Sequence, residues 1–248
     1  MIILRIILVG FLFSWFGLLC LIGNILFIPI IVLGLYKVRL FQNISRDFVF
    51  LAWRFFIICT QILGYLKYTF EGAEKLGNSG QLIIANHPSL LDVVFVLSHI
   101  RRVNCIVKKE LGKNIFLYPA IKACGYIRNT ENEELLNKGL EVLRNGECLL
   151  VFPEGTRTKQ QISFHKAPFY LAIHAAKTLT PIFIHMHPKS LQKGVKWYKT
   201  PNTMITYKLA VQEGITICDY EAGIPDSLRV RRLHNVMQTI YNKEIQCV

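Results

Sequence analysis

Between Ile6 and Tyr36 the chain runs for about thirty residues without a charged side chain. As a helix, a stretch of that length exceeds the roughly 30 Å hydrocarbon core of a bilayer. A cleaved signal peptide is the rival reading. Only Arg5 stands in its n-region, the apolar run is too long, and no small-x-small cleavage site follows. A retained anchor is therefore expected. Gly23, Asn24 and Pro29 are points at which it could break, so one tilted span and a re-entrant hairpin both stay open. Lys37, Arg39 and Arg46 follow the stretch and Arg5 alone precedes it. With a single crossing, that asymmetry puts the rest of the chain on the cytoplasmic face, which is the inner membrane if the source is bacterial.

A second apolar segment, Phe48 to Leu66, is rich in aromatics and interrupted by Arg54. That composition fits a helix lying at the membrane interface better than a second span. Over the whole chain 52% of residues are hydrophobic, yet the net charge is +13. The apolar residues crowd the first third and most of the cations come after it, which points to membrane lipids and acidic small molecules as partners. Nucleic acid is not expected, because no basic run interleaved with aromatics appears.

After Tyr68 short apolar runs alternate with helical periods. Leu82–Ala85, Asn104–Val107, Cys148–Phe152, Pro181–His185 and Met204–Leu209 are expected strands. Leu91–His99, Glu110–Ala123, Glu133–Arg144, Phe169–Lys177 and Arg229–Asn242 are expected helices. This alternation implies an α/β domain with a mostly parallel sheet flanked by helices. The chain thus divides into a membrane segment, 1–67, and an α/β domain, 68–248. Seven scattered cysteines without a C-x-x-C pair imply reduced, structural thiols rather than a disulfide framework.

Two clusters could carry chemistry, each where an expected strand ends. The first is Asn86-His87-Pro88-Ser89-Leu90-Leu91-Asp92. A neutral imidazole suits removal of a hydroxyl proton near pH 7, and a carboxylate on its far nitrogen fixes the tautomer. On one regular helix residues five apart lie about 140° apart. His87 must therefore precede the helix, with Asp92 reaching back from its first turn. The plainer alternative is a capping-box variant, Ser89-x-x-Asp92, in which Asp92 only caps backbone amides.

The second cluster is Phe152-Pro153-Glu154-Gly155-Thr156-Arg157-Thr158. Gly155 gives conformational freedom, backbone donors are exposed, and Arg157 can grip a phosphate with two parallel hydrogen bonds. Glu154 could orient the arginine or bind an acceptor hydroxyl. An ordinary turn with a surface ion pair is the competing reading.

Together, Asn-His-x4-Asp and Phe-Pro-Glu-Gly-Thr-Arg about sixty residues later resemble the glycerolipid acyltransferase family, over roughly residues 65 to 190. The 1-acyl-glycerol-3-phosphate acyltransferases are its best-known members. The resemblance implies a general-base His87 supported by Asp92. It places Glu154, Gly155, Thr156 and Arg157 in the site for the acceptor phosphate. It implies acyl-CoA or acyl carrier protein as co-substrate, with no cofactor. Val107-Lys108-Lys109-Glu110-Leu111 followed by Gly125-Tyr126-Ile127 is similar to the family's second block, which makes Lys108 a candidate phosphate ligand; a basic, solvated helix start is the competing reading. Thr180-Pro181-Ile182-Phe183-Ile184 is similar to the fourth. Two departures bear on the acceptor: Arg128-Asn129-Thr130 stands where an Ile-Asp-Arg-like run is usual, and Lys166-Ala167-Pro168 replaces Lys-x-Gly-Ala. The run His187-Pro188-x-x-Leu191-x-Lys193-Gly194-x-x-Trp197-Tyr198-x-x-Pro201 resembles a bacterial subgroup associated with aryl-polyene lipids.

Rival chemistries find less support. No Gly-x-Ser-x-Gly elbow, P-loop or dinucleotide fingerprint is present. His185 and His187 would share one strand face, but no acidic or Cys partner stands at ligand spacing, so no metal site is expected. The expected activity is acyl transfer to a lysophospholipid hydroxyl, most simply 1-acyl-glycerol-3-phosphate. A specialised acceptor such as an aryl-polyene lipid and a non-catalytic lipid-binding scaffold are the alternatives.

Overall fold

The computed structural model describes residues 2–129, 132–158 and 161–246. Two long helices come first, α1 (Ile2–Val32) and α2 (Arg39–Ile62), joined by a turn in which Gly34 adopts a left-handed conformation. The eight strands are β1 (Leu66–Glu71), β2 (Gln81–Ala85), β3 (Asn104–Lys108), β4 (Ile127–Asn129), β5 (Leu149–Val151), β6 (Thr178–His187), β7 (Ile205–Val211) and β8 (Ile215–Thr216). Between and after them run α3 (Asp92–Leu97), α4 (Tyr118–Ala123), α5 (Asn132–Arg144), α6 (Ala167–Ala175) and α7 (Asp226–Gln246). The sheet order is β1-β7-β6-β2-β5-β3-β4, with β8 beside β6. Pairing is parallel except where β6 meets β7 and β8.

The central strands explain themselves. Every residue of β2 and β5 is buried, as uninterrupted Leu, Ile and Val runs become when helices cover both faces of a parallel sheet. One face packs under α3 and the α1–α2 pair, around Phe95, Tyr207 and Leu209. The other packs under α5, α6 and α7, around Phe169, Leu171 and Tyr241. The Tyr241 hydroxyl, fully buried, donates to the carbonyls of Ile84 and Ile182 and ties α7 to the sheet.

The structure corrects several expectations. Gly23, Asn24 and Pro29 do not break α1, which continues through all three and is long and apolar enough to cross a membrane. The second apolar segment begins earlier than Phe48, since α2 starts at Arg39, and it stops before Leu66, which already belongs to β1. Arg46 is no flanking surface charge. It is 2% exposed, donating from Nε to the Cys124 carbonyl (2.8 Å) and from Nη1 to Glu147 (2.5 Å). The expected helix Glu110–Ala123 is split into a 3-10 turn, Lys109–Lys113, and α4. Between them the Asn114 side chain accepts from the amides of Phe116 and Leu117, a local turn that competes with the helix.

Both motif loops leave the carboxyl ends of neighbouring strands, β2 and β5. From β2 the chain crosses over β5 to β3; from β5 it crosses over β2 to β6. Such a point, where connections diverge, opens a crevice above the strand ends.

Candidate active site

Asn86, directly after β2, is clamped by two hydrogen bonds to Ile184 of β6, its amide donating to the carbonyl and its oxygen accepting from N–H, both at 2.8 Å. That clamp fixes where the next residue begins. His87 lies in the turn before α3 and Asp92 is the first residue of that helix. The His87 Nδ1 is 2.7 Å from Asp92 Oδ2, and the same oxygen accepts the Ser89 N–H at 2.7 Å. The two readings of this cluster therefore coexist: Asp92 caps the turn and holds the imidazole with one oxygen.

Asp92 is fully buried, and burial pushes its carboxyl above the usual range against the opposing pull of His87 and the Ser89 amide. The Tyr207 hydroxyl, reaching in from β7, faces Asp92 and Ser89 without the alignment of a full hydrogen bond. With Nδ1 engaged, Nε2 is the nitrogen of His87 left to face the adjoining cavity. The ring also rests against Phe152, centroids 4.6 Å apart.

The second loop is stitched onto the first. Glu154 Oε1 accepts both the His87 N–H (2.9 Å) and the Thr158 hydroxyl (2.6 Å), while the Thr158 N–H donates to the His87 carbonyl (2.7 Å). Burial raises the Glu154 carboxyl, opposed by those two donors. Gly155 turns through φ +62°, and a Cβ there would come within 3.2 Å of His165, so glycine is required on both counts. Arg157 Nη1 donates to the Leu191 carbonyl at 2.7 Å, leaving the remaining donors of its fork for a ligand. Thr156 lies in the same turn, half-buried.

His87, Asp92, Glu154 and Thr158 are thus one connected unit, and Arg157 is carried on the same loop. Lys108 stands apart. It ends β3, is exposed, and has its ammonium 3.6 Å from Glu110; among the described residues no bond links it to His87. Thr158, Leu191 and Tyr207 take part in the site without having been singled out by the sequence. Thr158 closes the second cluster and Leu191 lies in the His187–Pro201 run, so both stood in segments the sequence marked, whereas Tyr207 comes from a distant strand that carries no such signal.

His87 stands at the wall of an apolar cavity of about 410 Å³. Phe16 of α1, Trp53 and Phe56 of α2, Val94 of α3 and Ala120 of α4 form much of its lining, and Leu191 closes beside His87. The α1–α2 pair thereby builds part of the cavity wall as well as an apolar outer surface, where Ile7, Phe11, Ile25, Leu51, Phe55 and Ile62 are exposed.

Comparison with known proteins agrees with this geometry. The acyltransferase family model matches residues 67–185, which contain both loops. The matched span is just under half of the chain, and over it the chain is similar to the acyltransferase family. The family's 1-acyl-sn-glycerol-3-phosphate acyltransferase from Saccharomyces cerevisiae is 34% identical over 142 residues, covering 52% of this chain and 46% of that protein. The enzyme of that name from Pseudomonas aeruginosa is 26% identical over 166 residues, covering 63% of this chain and 64% of its own. The chain therefore spans between about half and two thirds of the length of these relatives. The crystal structure of the 1-acyl-sn-glycerophosphate acyltransferase PlsC from Thermotoga maritima superposes with a TM-score of 0.71 at 21% identity, over 100% of this chain and 99% of that one. The chain therefore shares that enzyme's fold from its first helix to its last.

Proposed function

We propose that this protein transfers an acyl group from an acyl thioester to the free hydroxyl of 1-acyl-glycerol-3-phosphate, giving phosphatidic acid. The observation that carries the reading is a buried-Asp–His pair whose imidazole lines an apolar cavity. The chemistry needs a base where an acyl chain ends, and a cavity of this kind beside His87 supports that role for it. The names of the relatives support the acceptor.

In the proposed reaction the acceptor phosphate docks on Arg157, which brings the hydroxyl to His87. Nε2 takes the hydroxyl proton as the oxygen attacks the thioester carbonyl. Asp92 stabilises the imidazolium through Nδ1. Collapse of the tetrahedral intermediate breaks the carbon–sulfur bond, and the proton on His87 passes to the departing sulfur. Backbone amides near the loops neutralise the oxyanion. Glu154 acts by position, since its one engaged oxygen holds the His87 backbone and Thr158 together. Residues 1–67 serve as the membrane part and 68–248 as the catalytic part, facing the cytoplasm.

The test is transfer from labelled acyl-CoA and from acyl carrier protein to a panel of lysolipids, with and without an acceptor phosphate. Phosphatidic acid as the main product supports the reading. Transfer confined to another lysolipid moves the protein to a specialised lipid pathway with the mechanism intact. The absence of transfer to any of them leaves the scaffold alternative.

A further inference from the structure

A second cavity, of about 640 Å³ and more polar, lies where the α1–α2 turn meets α4, β4 and α5. Its lining carries four cations, Lys37, Lys122, Arg128 and Lys138, from four separate segments of the chain. Glu134 is the one carboxylate of that lining among the described residues, and it pairs with Lys138 at 2.5 Å. The Lys122 ammonium sits 4.8 Å from the centre of the Tyr36 ring and 5.7 Å from that of Tyr118, between two aromatic rings. Arg128 lies over Gly112, where a Cβ would come within 3.0 Å of its side chain. This cavity backs onto the first one through Ile121 and Tyr126, which line both, but His87 and Arg157 are not part of its wall.

The position of the cavity says what it can hold. Val32, Leu33, Val38 and Leu40, exposed and apolar, flank Tyr36 and Lys37 at the turn between α1 and α2. The membrane-facing surface of the helix pair thus reaches the turn that supplies two of the lining residues. A cationic recess edged by tyrosines and continuous with a lipid-facing surface matches an anionic lipid headgroup, with the acyl chains left in the bilayer.

We propose that Tyr36, Lys37, Lys122 and Arg128 form a binding site for the headgroup of an anionic phospholipid, separate from the acceptor site at Arg157. The site would fix the seam between the helix pair and the α/β domain when the membrane carries negative charge. It does not depend on the chemistry assigned to His87.

Native mass spectrometry of the full chain in neutral maltoside micelles tests this without the general attraction of a charged membrane surface. The probes are phosphatidylglycerol, phosphatidylcholine and inorganic phosphate. Wild type is expected to retain one phosphatidylglycerol and to ignore phosphatidylcholine. A K37Q/K122Q/R128Q variant should bind phosphatidylglycerol at least about tenfold more weakly. A K37R/K122R/R128K variant, which keeps the charge, should bind within about threefold of wild type, as expected for charge recognition. Thermal unfolding of both variants checks that the fold is kept. If the glutamine variant is folded and retains the lipid as wild type does, the proposal fails. Displacement of the lipid by millimolar inorganic phosphate would also overturn it, by making the ligand a soluble phosphate.

Discussion

The backbone N–H of His87 donates to the Glu154 carboxylate at 2.9 Å, joining two motifs separated by 67 positions in the chain. The same oxygen takes the Thr158 hydroxyl, and Thr158 returns a bond to the His87 carbonyl. Glu154→Ala would leave the Thr158 hydroxyl without its acceptor and the His87 N–H with only its longer, 3.2 Å bond to Thr158 Oγ1. An unfolding loss of about 1–3 kcal/mol is expected, together with a lower kcat, because the His87 backbone is no longer held. Glu154→Gln keeps an acceptor oxygen and should stay within about 1 kcal/mol of wild type. Chemical denaturation and steady-state kinetics of the pair check this; equal stability of the two variants would contradict a bracing role.

Asp92→Asn separates stability from activity. Burial raises the Asp92 carboxyl, so ionising it costs folding free energy, and its stabilising share is complete below the ordinary carboxylate range and lost as pH rises through the folded value. Asparagine does not titrate. The Tm of the variant relative to wild type should therefore rise as the pH is raised above the ordinary carboxylate range, while kcat falls roughly 10²–10⁴-fold. A Tm difference that shrinks with pH would show that the sign is wrong.

Arg157→Lys tests phosphate recognition. Lysine has no second arm with which to keep Leu191 while gripping a ligand. The KM for lysophosphatidic acid should rise about 10–100-fold, the size of one or two charge-assisted hydrogen bonds. Acceptors without a phosphate should be little affected, and an equal change for both kinds would remove Arg157 from the phosphate site.

Ala120→Phe fills the far wall of the apolar cavity without touching the loops. Donors from octanoyl to stearoyl, offered in competition, should be used with a shift toward the shorter chains. An unchanged profile would mean that the acyl chain lies elsewhere.

Much of this was legible in the sequence, for identifiable reasons. The Leu82–Ala85 part of β2 and the whole of β5 are apolar, so their strands and the motif loops after them stood out. The interval of five between His87 and Asp92 required the loop-then-helix placement that the structure adopts. Short or alternating edge strands were missed: β4 has three residues, β8 two, and β1 follows α2 with little punctuation. The Arg46–Glu147 pin was read as a flanking charge because its partner comes 101 residues later. Tyr207 and Leu191 reach the site only through the folding of distant segments, a relationship no local pattern encodes.

The most direct measurement is phosphatidic acid formation from lysophosphatidic acid and acyl-CoA by wild type and His87→Ala side by side, with circular dichroism confirming that both are folded. The expected result is a rate lower by about 10²–10⁴-fold in the variant, the usual contribution of general-base catalysis. Phosphatidic acid formed by folded His87→Ala at the wild-type rate would contradict the assignment of His87 as the base.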